Sequence, residues 1–298
     1  MLYKNLTIKA KLLLQVVISV IGVVILTIMV LSSKLDTVSS LNDIQKASKI
    51  LGSVSLLVHE TQKERGMTAG FLGTKGKKFA DKLPSQRLLT NTRLQELKDV
   101  LSQIDISEID KKTSDALDIA LRDASQLNSI RSQVDSLSIQ GTKAISYYTN
   151  MNASFLDFIQ VVAKLSTNVA ESRDITAFYN FLMSKERAGI ERAVGSNTFA
   201  RNKFLFGMKG KWTKLITEQN AFIVSFKASA KPSFIKFYKD TLKGKAVDEV
   251  NRMREISIGA KTIGGFGIEG GYWFSQITKK INKLKQVEIG RASCRERV

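Results

Sequence analysis

The stretch LNDIQKASKILGSVSLLVHETQKERGMTAGFLG, Leu41 to Gly73, decides the fold. Its apolar residues Ile44, Leu51 and Val58 recur every seven positions, accompanied by Ala47 and Val54, as one face of an α-helix presents them. A strand would need alternation instead, and no convincing alternation occurs here or further along the chain. Arg65 lies seven residues after Val58 and so continues the apolar line. Gly70, Gly73 and Gly76 are expected to end the helix.

Upstream, Leu12 to Leu31 reads LLLQVVISVIGVVILTIMVL, twenty residues without a charge. A helix of that length reaches about 30 Å, the thickness of a bilayer's hydrocarbon. The run is longer than a signal-peptide core, and no small-x-small cleavage pattern follows it, so an uncleaved anchor is expected. Lys4, Lys9 and Lys11 precede it, which under the positive-inside tendency leaves residues 1–11 in the cytoplasm and everything after about Ser33 outside. The membrane helix is expected to run on into the following domain. Nucleic acid is then not an expected partner.

Downstream, helical patterns cover about 78–104, 109–136, 140–169, 172–200, 211–229, 233–259 and 271–287, and the only prolines in the 298 residues are Pro84 and Pro232. The fold class is therefore all-α. GGFGIEGG, Gly264 to Gly271, reads as a loop and lacks the Lys-Ser/Thr of a phosphate-binding loop. KERGMTAGFLG at Lys63 to Gly73 is echoed by KERAGIERAVG at Lys185 to Gly195, 122 residues on.

The formal charge of +19 suits anionic partners. Lys75, Lys77 and Lys78, then Lys209, Lys211 and Lys214, then Lys279, Lys280, Lys283 and Lys285, read as solvated faces, the last close enough to the membrane to meet lipid headgroups. Trp212, Trp273, Phe199, Phe204 and Phe206 read as packing residues. With one cysteine, Cys294, and one histidine, His59, the chain offers neither a disulfide nor a metal-ligand set, and it carries no nucleophile–base pair. Neither an enzyme nor a cofactor is expected, and His59 reads as an ordinary helical side chain. Ile289 to Val298, IGRASCRERV, resembles the in-frame translation of a sequencing adapter, so residues 288–298 are expected to be a non-native tail.

Arginines stand where apolar residues belong: Arg65 on the Leu51–Val58 line, Arg187 among Met183, Ile190 and Val194, and Arg254 among Val247, Val250 and Ile258. A buried guanidinium needs a carboxylate, helix-end carbonyls or a bound anion. Glu60, Glu64, Glu186, Glu191 or Glu255 could supply the first, so spacing leaves salt bridging and anion binding both open.

The wording of four motifs goes further. QKERGMTAGFLG at Gln62 to Gly73, SKERAGIERAVGSNTFARNKF at Ser184 to Phe204, VNRMRE at Val250 to Glu255 and WFSQITKKINKLKQVE at Trp273 to Glu288 together resemble the nitrate- and nitrite-sensing domain of bacterial receptors. The resemblance covers most of residues 40–288. It implies two packed four-helix bundles after the N-terminal membrane helix and an oxyanion held by arginines. Carried onto this chain, it places Arg65 and Arg254 first in the ligand pocket, and then Arg187 and Arg192 of the duplicated Glu-Arg pairs. The expected protein is the extracytoplasmic sensing half, residues 35–287, of an inner-membrane receptor of the chemotaxis kind, dimeric and continued by a second membrane helix and an output domain. A membrane-tethered helical scaffold with its arginines salt-bridged is the alternative.

Overall fold

The computed structural model describes residues 7–104, 111–164 and 169–295. The expected helix start at 109 falls within 105–110 and the expected helix end at 169 borders 165–168; both segments lie outside the described residues, as does Lys4. Ten α-helices make up the described chain, with one isolated bridge between Lys203 and Gly264 and no strand among the described residues. It divides into two units, Met1–Ala47 and Ser48–Val298, and α1 (Ile8–Gly73) supplies residues to both.

In the first unit, Leu12–Leu35 is the one described segment long and apolar enough to cross a membrane, and none of it is buried. Two of its hydroxyls are turned back on the helix: Ser19 donates to the Gln15 carbonyl at 2.9 Å and Thr27 to the Val23 carbonyl at 2.8 Å. Between Leu12 and Leu31 the segment therefore presents an uncharged, mostly apolar surface.

The second unit is a pair of helical bundles. The rest of α1, with α2 (Leu83–Ser102), α3 (Lys111–Ser125), α4 (Leu127–Asp135) and α5 (Gly141–Ala163), makes one. The other consists of α6 (Val169–Ala200), α7 (Met208–Ser229), α8 (Pro232–Thr241), α9 (Lys245–Gly259) and α10 (Gly270–Arg295). Leu51, Val54 and Val58 are buried as their spacing requires, while the side chains of Ile44 and Ala47 lie outside the described residues. Both prolines open helices, α2 and α8, where the missing N–H costs nothing. α1 ends at Gly73 and the chain turns through Gly76, whose φ is +84°.

Two expected helices are each broken in two. Between α3 and α4, the Tyr147 hydroxyl takes the Asp123 carbonyl at 2.7 Å, and the Gln126 amide bonds that same carbonyl in a tightened turn. Between α8 and α9 the chain passes through Gly244 at a φ of +100°, which a helix cannot contain. Bent third helices thus occupy the same place in both bundles.

Phe199, Phe204, Trp212, Phe266 and Trp273 stack edge to face in the second core, and Phe181, Phe226, Phe234 and Tyr238 form a neighbouring set. Phe206 is a correction, since it stands fully exposed beyond the turn that follows α6. The last lysine run is another: Lys280 is buried and Lys285 mostly so, because α10 packs on α6, α8 and α9 and must turn one side of that run inward. Glu288 is buried too, accepting hydrogen bonds from Ser55 at 3.0 Å, Lys285 at 2.6 Å and Lys185. α10 continues to Arg295.

Candidate functional site

The mid-part of α1 meets α6 where the two Lys-Glu-Arg motifs lie, and the polar residues there are sorted by charge. Glu64 is fully buried and accepts from Arg131 Nε and Nη2, both at 2.8 Å, and from the Tyr148 hydroxyl at 2.7 Å. Glu191, equally buried, accepts from Arg254 Nε at 2.6 Å, Trp212 Nε1 at 2.9 Å and Gln219 Nε2 at 2.8 Å. Burial alone would raise the Glu191 carboxyl, but Arg254, Lys280 and the Trp212 hydrogen bond hold it below the ordinary carboxylate range.

The four arginines singled out by the sequence meet different fates. Arg65 is buried and forks onto both oxygens of Glu186, with Thr149 on its Nη1 at 3.1 Å. Arg254 is taken by Glu191. Arg187 bonds Glu218 at 2.5 Å and lies over the Phe222 ring, away from the other three. Arg192 is only 6% exposed, yet no carboxylate lies within ion-pair distance of it among the described residues. Its contacts are weak and neutral: the Thr278 hydroxyl at 3.3 Å, the Gln62 carbonyl at 3.4 Å and the Phe274 ring at 5.3 Å. Burial first, and then the neighbouring Arg65, lower its pKa to about 10, so it remains a cation at neutral pH.

Arg192 and Arg65 can each reach this place because a glycine on the opposing helix clears the way. A methyl on Gly66 would stand 2.7 Å from Arg192 Nη2, and one on Gly189 would stand 2.9 Å from Arg65 Nη2. A cavity of about 240 Å³ opens beside Arg192, lined also by His59, Gln62, Lys63, Gly66, Lys82, Phe274 and Thr278. A larger groove of about 680 Å³ also reaches Arg192, past Gly70, Ser196, Asn197 and Gly270. His59 Nδ1 is buried and finds no hydrogen-bond partner among the described residues. Burial first, then Lys185, Lys285, Lys63 and Arg192, keep that imidazole neutral, far below its ordinary value. The charge balance is clear: Arg65 and Arg192 share one carboxylate, Glu186, and Lys63 is matched by Glu60 at 2.8 Å. Lys185 and Lys285 likewise share Glu288, and Lys82 lines the cavity as well, so positive charge is in excess here. No group of side chains suited to a metal ion occurs among the described residues.

Sequence reasoning missed His59 as a member of this cluster, and it named Glu186 only as one of five carboxylates that could pair with the arginines. His59, Gln62 and Gly66 share a helix face by their spacing of three and seven, but nothing in the spacing shows that α6 lies opposite. The internal echo is also corrected in register. The buried, arginine-clamped carboxylates are Glu64 and Glu191, 127 residues apart, so the first motif corresponds to the second Glu-Arg pair of α6 and not to the first.

Two helical bundles joined across a buried arginine cluster define the class: an all-helical domain with an unmatched cation in its interior. The family model for nitrate and nitrite sensing matches residues 56–293, and the chain belongs to that family. A nitrate regulatory protein of Klebsiella oxytoca is 24% identical over 259 residues, covering 83% of this chain and 62% of the relative. The chain thus spans under two thirds of that protein's length. The solved structure of the NasR transcription antiterminator superimposes with a TM-score of 0.80 at 21% identity, covering 88% of this chain and 71% of that one.

These relatives overturn the expectation of a chemotaxis-type transmembrane receptor with an extracytoplasmic sensor. Both are named as regulators, a nitrate regulatory protein and a transcription antiterminator. The periplasmic placement loses its support with the receptor. So does the exclusion of nucleic acid, which rested on that placement. What the sequence showed at the N-terminus was a segment able to cross a membrane, and that property does not by itself make a receptor.

Proposed function

We propose that this chain is the sensing module of a nitrate- or nitrite-responsive regulator, and that the anion seats on Arg192 in the cavity between α1, α6 and α10. The observation that carries this reading is the pairing pattern: Arg65, Arg131 and Arg254 each hold a carboxylate, whereas Arg192 is as deeply placed and holds none. A planar guanidinium matches the in-plane oxygens of nitrate or nitrite. A monovalent anion there would neutralise Arg192 and let the helices carrying Arg65 and Arg192 settle against each other. Any signal must come from unequal anion affinity in two arrangements of those helices.

A thermal-shift titration with sodium nitrate and nitrite, at ionic strength held constant with chloride, tests the reading. The wild-type melting temperature is expected to rise with either anion, and Arg192→Gln to need at least about 10-fold more, the loss of a charge-assisted hydrogen bond. Arg187→Ala should respond like wild type. Equal responses from wild type and Arg192→Gln would remove Arg192 from the site.

Membrane insertion of Leu12–Leu35 is a separate proposal, supported by its length, its apolar composition and its exposure along the whole segment.

A further inference from the structure

The two faces that meet at the arginine cluster are copies of one another, and one copy is already filled. At the 127-residue separation Glu64 corresponds to Glu191: each is a buried carboxylate held by an arginine from the bent third helix, Arg131 or Arg254, while their aromatic donors, Tyr148 of α5 and Trp212 of α7, come from different places in the two bundles. Arg65 corresponds to Arg192. Each approaches the equivalent place on the opposing helix, since Arg192 Nη2 bonds the Gln62 carbonyl at 3.4 Å and Arg65 Nη2 stands against Gly189. The relation breaks at the group that faces each arginine, and again at Gln62, which donates to Glu186 and whose equivalent is Gly189. Arg65 receives Glu186 from the opposing helix, and the residue equivalent to Glu186 is His59.

We infer that Glu186 is a built-in stand-in for the ligand, its carboxylate filling on Arg65 the place that a planar monovalent oxyanion takes on Arg192, and that His59 completes the open site as an N–H donor. This rests on the reading of Arg192 as the anion site and adds the ligand's shape and a second binding residue. Glu186 presents two in-plane oxygens to Nη1 and Nη2 of Arg65, with a further donor, Gln62 Nε2, at 2.7 Å. Nitrate, nitrite and formate share that trigonal or bent O–X–O fork, whereas tetrahedral sulfate and phosphate do not. His59 lines the cavity with its Nδ1 buried and unbonded among the described residues, and a neutral imidazole protonated there offers one donor. A glutamate at position 59 would close the second copy just as Glu186 closes the first.

Calorimetric titration of the full chain, in mild detergent, with sodium nitrate and separately with sodium sulfate, distinguishes the possibilities. Wild type is expected to bind one nitrate per chain and no sulfate. His59→Glu should lose nitrate binding and melt, without ligand, near the temperature of nitrate-saturated wild type. His59→Gln, which keeps a donor, should weaken binding several-fold without abolishing it. Glu186→Gln frees Arg65 and is expected to bind two nitrates; if it folds only when nitrate or formate is present, that rescue supports the same conclusion. Nitrate binding by His59→Glu at wild-type affinity, or a single nitrate on a folded Glu186→Gln, would overturn the inference and leave the Arg192 site standing. No nitrate binding by wild type would instead remove the functional reading beneath it.

Discussion

Arg192 shows how little a residue's own sequence context says about its role. Spacing placed Arg65, Arg187 and Arg254 inward, and Arg65 is indeed almost wholly enclosed, but each has a carboxylate partner from another helix. That partnership is a long-range fact: Glu186 stands 121 residues from Arg65, and Glu191 stands 63 from Arg254. Periodicity can report that a charge points inward; it cannot report which charge waits there. The same buried pairs make stability depend on pH. Burial would raise the Glu191 and Glu288 carboxyls, but Arg254 beside Glu191, and Lys185 and Lys285 beside Glu288, hold both below 4.5. Their folded-state values lie beneath the unfolded ones, so this contribution is full above about pH 4.5 and is lost as pH falls through the lowered values. Urea melts from pH 7 to pH 3 should show the loss, and Glu191→Gln should flatten the curve. Lys280 acts in the opposite sense. Burial first, and then Arg254, lower it to about 7, so the unfolded chain holds more protons between pH 7 and 10.5, and stability rises across that window. Lys280→Met should therefore stabilise at pH 7, on the order of 1 kcal/mol or more, with the gain shrinking towards pH 10.

At the scale of elements, most helices could be read from the chain because their causes are local. Leu51, Val54 and Val58 mark a buried face, and Pro84 and Pro232 mark starts. The break between α3 and α4 was not legible, because the hydroxyl that takes the Asp123 carbonyl comes from Tyr147 on another helix, whereas the break between α8 and α9 has a local cause in Gly244. Close helix approach is set by glycines and can be tested there. A methyl on Gly195 would stand 2.4 Å from the Trp273 ring, which is fixed in the aromatic core. Gly195→Ala should cost about 1–3 kcal/mol in a denaturant melt. Gly66→Ala presents a methyl to the mobile end of Arg192 instead. Alanine favours the helix by up to about 1 kcal/mol, so stability should hold or rise while nitrate affinity falls several-fold as the guanidinium is displaced. A fall in stability with affinity unchanged would show that Arg192 is only a packing residue.

For the whole molecule, the all-helical class and the family were legible in four motifs, and the family match over residues 56–293 agrees with them. The physiological setting was not, because an apolar segment reports what a helix can dissolve in and nothing of the output that follows. Leu12–Leu35 should partition with membranes on expression and resist carbonate extraction, and deleting residues 1–35 should release the chain. A soluble full-length chain would contradict membrane insertion without touching the anion site. The central claim is that an anion rests on Arg192, and a crystal structure of this chain grown in sodium nitrate tests it most directly. Planar density is expected within hydrogen-bonding distance of the Arg192 guanidinium and His59 Nδ1, with the Arg65–Glu186 and Arg254–Glu191 pairs intact; nitrate found instead on Arg65 or Arg254, with Glu186 or Glu191 displaced, would refute that claim.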